Sequence, residues 1–201
     1  MRWLSFVALV ALLAPAAARA AMHTYRFDTV HSQVVFSIDH DGYSRPFGRL
    51  PIAHGWLRFD PDHWSRSAAA LDIDLGRVDM GDAKWNAAVC GRLLLDCAHD
   101  RYAHFASTSV ARLDATHGVL RGMLTLHGVS HPIVIPFTLN RIARTIFGLH
   151  RVAGFSATAS LDRTAFGIDA FPHAIGHDVA IWLEIEAIRD DHLDTTSGAT
   201  P

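Results

Sequence analysis

Long apolar runs are scarce in this sequence. The one worth testing as a membrane span, Trp3 to Ala14, falls short of the roughly 20 apolar residues a span requires. It follows Arg2, stops at Pro15 and leads to Ala18-Arg19-Ala20, the small-x-small pattern of signal peptidase cleavage. These features predict a removable export signal over residues 1–20, cleaved after Ala20, and an exported protein that is periplasmic where its source has an outer membrane. No cysteine stands near the cleavage point, so a lipid-modified N-terminus is not expected. Basic runs are missing too. Without Arg2 and Arg19 the 18 Lys and Arg fall to 16 against 20 Asp and Glu, and those 16 are scattered along the chain. That pattern argues against nucleic acid and anionic lipid surfaces as partners.

Cysteine is nearly absent. The only two, Cys90 and Cys97, would meet an oxidising compartment after export, where a disulfide is the default expectation. On one continuous helix their Cα atoms would lie about 10 Å apart, too far to bridge. Gly91 can end the helix and let the chain double back. The alternative is a pair of buried free thiols; the spacing is not the C-x-x-C of a redox-active pair.

Catalytic signatures are missing as well. There is no H-E-x-x-H, no phosphate loop and no G-x-G-x-x-G, and Gly154-Phe155-Ser156-Ala157-Thr158 lacks the closing glycine of a nucleophile elbow. Asp72 with Asp74 and Glu184 with Glu186 fall on the outward side of expected strands, where solvated carboxylates are the expectation. Among the 14 histidines, His127 and His131 have the i, i+4 spacing of a helical metal pair, but Gly128 lies between them and Pro132 follows. His173 and His177 flank Gly176 in the same way. Loop histidines are expected at both places; no metal and no catalytic residue is assigned.

What the sequence does have is alternation. Half its residues are apolar, enough for one domain with a sizeable core, expected over residues 21–190 with an unstructured tail over 191–201. Val34, Phe36 and Ile38 alternate with Val35, Ser37 and Asp39, and Leu71, Ile73 and Leu75 with Asp72, Asp74 and Gly76. Residues 120–126, 133–139, 153–161 and 179–185 continue the pattern. Long strands are expected over 47–59, 103–114 and 133–142. Asp82 is placed to N-cap a helix that ends near Cys90 and Gly91, and a shorter helical turn is expected from Asp60-Pro61. The expectation is a mainly β, antiparallel fold. Alternation admits either a sandwich or a barrel. The small side chains of Ala153, Ala157 and Ala159 beside Phe155 and Leu161 favour a barrel with an open interior.

Read in order, the motifs resemble the YceI-like family of exported lipid-binding proteins. Tyr25-Arg26-Phe27-Asp28, His31-Ser32-x-Val34-x-Phe36 and His40 are similar to its opening strands. Gly48 and Gly55-x-Leu57-x-Phe59-Asp60-Pro61 follow. Gly122-x-Leu124-Thr125-x-His127-Gly128-Val129-Ser130-x-Pro132 resembles the family's most recognisable motif, and Gly154-Phe155 with Arg163-x-x-Phe166-Gly167 its late signature. The resemblance spans Tyr25 to about Ala187. The chain departs from the pattern at Leu94-Leu95-Asp96 before Cys97, at Tyr102-Ala103 and at His131.

The resemblance implies an elongated, lipocalin-like antiparallel β-barrel of about eight strands with one or two short helices. It implies a long-chain isoprenoid, isoprenoid quinone or other amphiphile in the lumen, with no catalytic residue and no cofactor. Met123 to Leu139 is then a hairpin turning at Gly128. Phe36, Ile38, Leu126, Ile135, Phe137, Phe155, Ala157 and Phe166 are expected against the ligand's tail, and His40 and Arg163 near its head. For Arg163 an ion pair with Asp162 or Asp169 is the alternative. Two other functions stay open: an enzyme acting on a barrel-bound lipid, and a non-catalytic envelope stress or interaction protein, with a homodimer or an envelope partner conceivable for each.

Overall fold

The computed structural model describes residues 21–146 and 148–195. The expected export signal and the last six residues of the expected tail lie outside the described residues.

Ten strand segments form one antiparallel sheet: β1 (His23–Phe27), β2 (Gln33–His40), β3 (Phe47–Leu50), β4 (Ile52–Phe59), β5 (Ala68–Asp74), β6 (Tyr102–Arg112), β7 (His117–Leu126), β8 (Val129–Arg144), β9 (Arg151–Asp162) and β10 (Ile175–Arg189). From β4 to β10 each pairs with its sequence neighbour. β10 then pairs with β1 through Tyr25↔Arg189 and Phe27↔Ala187, and with β2 through Val34↔Leu183 and Ile38↔Val179. β1 and β2 thus run end to end along β10, as β3 and β4 run along β2 and β1. The ring therefore closes with eight walls, two of them broken. The fold is the expected closed antiparallel barrel.

Local chemistry places the two breaks. Pro51 has no N–H to give a ladder, so it interrupts the single strand expected over 47–59, and its carbonyl accepts from Asp74 N–H instead. Between β1 and β2, Asp28 Oδ1 accepts the N–H groups of Val30 and His31 and folds the chain into a tight turn. Ser32 Oγ then takes both sides of the ladder with Glu186, donating to its carbonyl at 3.0 Å and accepting its N–H at 3.1 Å. Ser32 thereby satisfies the Glu186 N–H and shares its carbonyl with the Asp28 N–H.

The hairpin expected at Met123 to Leu139 is β7–β8. His127 (φ 52°) and Gly128 (φ 70°) form its two-residue turn, the double positive φ of a type I′ turn, which matches the twist of the flanking strands.

The helix, α1 (Ala83–Val89), starts where expected. Asp82 accepts from the N–H groups of Lys84 and Trp85, satisfying donors that a helix start leaves free. The chain leaves the helix at Cys90 and doubles back through Gly91 to the Cys90–Cys97 disulfide, whose Cα atoms lie 5.1 Å apart. A short 3-10 turn at Trp64–Arg66 matches the turn expected from Asp60-Pro61.

One expectation changes. Asp72 and Asp74 point away from the lumen as expected, but they are 4% and 6% exposed rather than solvated. Long side chains on the neighbouring strands fold over them. His54 Nε2 and His104 Nδ1, from register partners on β4 and β6, close on Asp72, and Arg101 closes on Asp74 at 2.9 Å. Alternation gives the side of a sheet and not what covers it. Asp191, the first residue of the expected tail, is fastened to β1 and β10 by His23, Thr24 N–H and Arg189.

Candidate ligand cavity

The inward side chains do not fill the barrel. They enclose a cavity of about 840 Å³, bordered almost wholly by hydrocarbon. Small side chains on one wall explain the space: Ala157 and Ala159 of β9 face the lumen, where bulkier residues would meet the opposite wall. Leu126, Ile135 and Phe137 border it from β7 and β8, and Phe36 and Ile38 from β2.

One end is closed. The 3-10 turn lays the Trp64 ring, 2% exposed, behind Phe137 at 5.5 Å in a stacked arrangement. Phe59 and Phe155 complete the floor, each within 6.0 Å of a neighbouring ring in tilted or edge-on contact. Trp64 Nε1 donates to the Pro61 carbonyl, and the Arg112 guanidinium covers the indole face at 5.0 Å. Gly118 makes the floor sterically feasible, because a Cβ there would stand 2.6 Å from Phe137 and 2.8 Å from Trp64. Asp60, 1% exposed, holds the turn through the N–H groups of Asp62 and His63. Burial pushes its carboxyl pKa up, yet those N–H groups, with His63 and Arg66 nearby, hold it below the ordinary value.

The other end is the mouth. Three elements frame it: the β2–β3 turn with Asp39, His40 and Pro46; α1 and its disulfide loop with Trp85, Arg92 and Leu93–Leu95; and the segment before β10 with Phe171, Ala174 and Ile175. His40 meets Trp85 edge-on at 5.9 Å. Arg163 reaches the cavity border near this end, 3% exposed. Three of its N–H groups go to the carbonyls of Gly176, Ile168 and Ile175, at 2.8, 2.6 and 2.9 Å. Burial draws its pKa below the ordinary value, with Asp162 and Asp169 acting in the opposite sense. The alternative expected for Arg163 is corrected: it braces the mouth segment through carbonyls, and Asp162 instead caps Thr164.

Of the residues expected to face a ligand, Phe36, Ile38, His40, Leu126, Ile135, Phe137, Phe155, Ala157 and Arg163 border this one space. Phe166 does not. It is buried beside the β7–β8 turn, where His131 packs edge-on against its ring at 5.1 Å and its carbonyl lies 3.2 Å from His127 Nδ1. Both histidines thus pack on one residue. Among the described residues, the group whose candidate metal-ligand atoms lie within 4.8 Å of one another is Asp28 and His31, in the turn between β1 and β2, with Glu186 of β10.

A closed antiparallel barrel with one sealed end, one framed mouth and a hydrocarbon interior defines a lipocalin-like binding barrel. The chain belongs to the YceI-like domain family, which matches residues 25–187. It is 30% identical over 180 residues to a UPF0312 protein of Shewanella putrefaciens, covering 90% of this chain and 94% of that one. A UPF0312 protein of Vibrio cholerae is likewise 30% identical over 181 residues, 89% of this chain and 94% of that one. The crystal structure of BcnA from Burkholderia cenocepacia superimposes with a TM-score of 0.70 at 20% identity, covering 80% of this chain and 98% of that chain. A polyisoprenoid binding domain from Saccharophagus degradans, implicated in plant cell wall breakdown, gives 0.63 at 15% identity over 83% of this chain and 98% of that one. These structures share the fold.

Proposed function

We propose that the protein is exported to the periplasm, its signal removed after Ala20, and carries or stores a polyisoprenoid, isoprenoid quinone or other long-chain amphiphile in its lumen, without catalysis. The observation that carries this reading is the hydrocarbon-lined cavity of about 840 Å³, closed at its aromatic floor and open at its mouth. The polyisoprenoid binding domain that shares its fold supports it.

At the roughly 30 Å³ a water-sized group occupies, 840 Å³ holds about 28 methylene-sized groups. Each buried methylene contributes about 0.8 kcal/mol, roughly 22 kcal/mol in all before ordering costs. That gross figure reaches the ceiling of non-covalent affinity, about 18 to 21 kcal/mol. Affinity therefore needs no polar contact in the lumen. The polar side chains that border the cavity near its mouth, Asp39, His40 and Arg92, give a head group its place, so the tail enters first.

The test is mass spectrometry of the organic extract from protein purified without detergent from its own host. A stoichiometric prenyl lipid or quinone is expected. Repeatedly lipid-free protein that also shows no saturable uptake of any isoprenoid or long-chain amide would end this reading.

A further inference from the structure

A chain that gains so much by leaving water does not return to water to be exchanged, which raises the question of what the mouth faces. Tyr43, Leu93 and Phe171 project around it, 86%, 60% and 49% exposed. They come from three separate elements. Leu93 and Phe171 also border the cavity, so apolar surface runs unbroken from the lumen onto the outer rim.

The rim is built to hold these side chains out. Phe171 sits at φ 56°, a costly conformation for a bulky residue. It is kept there by the Ala174 and Ile175 N–H groups on its carbonyl, while Asp41 N–H ties Ala174 to the β2–β3 turn that carries Tyr43. Leu93 stands on the loop that the disulfide closes, whose neighbours Leu94 and Leu95 border the cavity. Four residues past Tyr43, Phe47 meets Trp182 at 5.7 Å on the outer wall, both exposed. Such aromatics suit the head-group depth of a bilayer.

Arg45, Lys84 and Arg92 lie among these elements and form no ion pair among the described residues. The acidic side chains of Asp39, Asp41, Asp82 and Asp96 stand at the same end, Asp39 and Asp82 accepting backbone N–H groups and Asp96 meeting His99, so the rim carries both signs. The sequence shows no basic run because these three cations come from separate segments that only the fold brings to one end.

We infer that the mouth rim is a bilayer-docking surface, with Tyr43, Leu93 and Phe171 entering a lipid surface so that cargo passes between membrane and lumen without crossing water. The inference rests on the carrier reading. The opposite end supplies an internal control: it also exposes Leu113, Ile146 and Leu149, but the aromatic floor separates them from the cavity.

The experiment is flotation of the purified protein with vesicles of phosphatidylethanolamine and phosphatidylglycerol. The parent protein is expected to float with the vesicles. Tyr43→Ser/Leu93→Ser/Phe171→Ser should reduce the partition coefficient by at least about tenfold, since each side chain gives up the burial of several methylene groups. Ile146→Ser/Leu149→Ser should float like the parent. Circular dichroism and thermal melting establish that both variants are folded; were the triple variant unfolded, Tyr43→Ser alone, a residue off the cavity wall, is expected to weaken flotation severalfold.

Docking is overturned if the parent stays with the soluble fraction, if the rim variants float equally well, or if the control pair loses flotation as strongly. It is also overturned if light scattering shows that the rim instead joins two copies of the chain, with a doubled mass that the triple variant loses. Lipid extracted from a parent that does not float would leave the carrier reading standing and remove only the docking; a parent that floats yet yields no lipid and takes up none would do the reverse.

Discussion

Replacing Trp64 with alanine removes the back of the cavity floor. The indole is fully packed: stacked on Phe137, tilted against Phe59, bonded to the Pro61 carbonyl and covered by Arg112. Truncating a buried tryptophan costs about 3 to 5 kcal/mol in lost transfer and new void. In a domain of this size each kcal/mol lowers Tm by about 2 to 4 °C, so the expected drop is about 6 to 20 °C. Differential scanning calorimetry on delipidated protein is the assay, because bound lipid would mask the loss by mass action. Trp64→Phe, which keeps a ring over Phe137 but loses the bond to Pro61, should lose less than half as much. Gly118→Ala tests the same packing from the other side: its Cβ would press on both rings and should cost about 1 to 3 kcal/mol by overpacking. In the Trp64→Ala background that cost should shrink, since one of the two clashing rings is gone. A drop below about 3 °C for Trp64→Ala, or full additivity with Gly118→Ala, would refute the sealed floor.

Three further outcomes are expected. Ala157→Phe narrows the lumen from a lining position, so uptake of a fluorescent long-chain fatty acid should fall at least severalfold while Tm stays level or rises; unchanged uptake would place the tail elsewhere. Removing the clasp with Cys90→Ser/Cys97→Ser should cost about 2.5 kcal/mol by the chain-entropy estimate for so short a loop, a Tm loss of roughly 5 to 10 °C by calorimetry. Asp114 caps the β6–β7 turn, and the N–H groups of Thr116 and His117 hold its carboxyl down at about 2, against an ordinary 3.8. The turn's contribution is then complete above about pH 4 and fades as pH falls toward 2, visible as a carboxyl carbon shift titrating near 2 in NMR; a midpoint near the ordinary value would remove that cap.

Much of the barrel could be read from the chain because period-two alternation and turn residues act locally. His127-Gly128 between two apolar runs marked a turn, and Asp82 marked a helix start. The inward residues of β2, β7, β8 and β9 followed from parity together with the family resemblance, and with them part of the cavity wall. Parity could not size the space. The floor was missed because Trp64 sits in a turn without periodicity, and its task depends on Gly118 and Phe137, far away in sequence. Lid residues such as Leu94 and Leu95 were seen only as a departure from the family pattern, since nothing local says that a loop folds over an opening. Phe166 was misplaced because its motif marks a buried support for the β7–β8 turn, and a conformation such as that of Phe171 has no sequence signal at all.

The ring closes by pairing the first of the described strands with the last, Tyr25 with Arg189, and side-chain bonds across the seam join Ser32 to Glu186 and His23 to Asp191, 154 and 168 positions apart. Every other contact between neighbouring walls is made by strands close in sequence, so the barrel grows as a curling open sheet whose final seam carries a long loop-closure cost. Until β10 arrives, β9 on one side and β1 with β2 on the other present bare edges of the kind that recruit other chains. A chain interrupted before Ile175 therefore lacks more than one strand. It has no inside and two adhesive flanks, and the late-made strand is what turns a sticky sheet into a vessel.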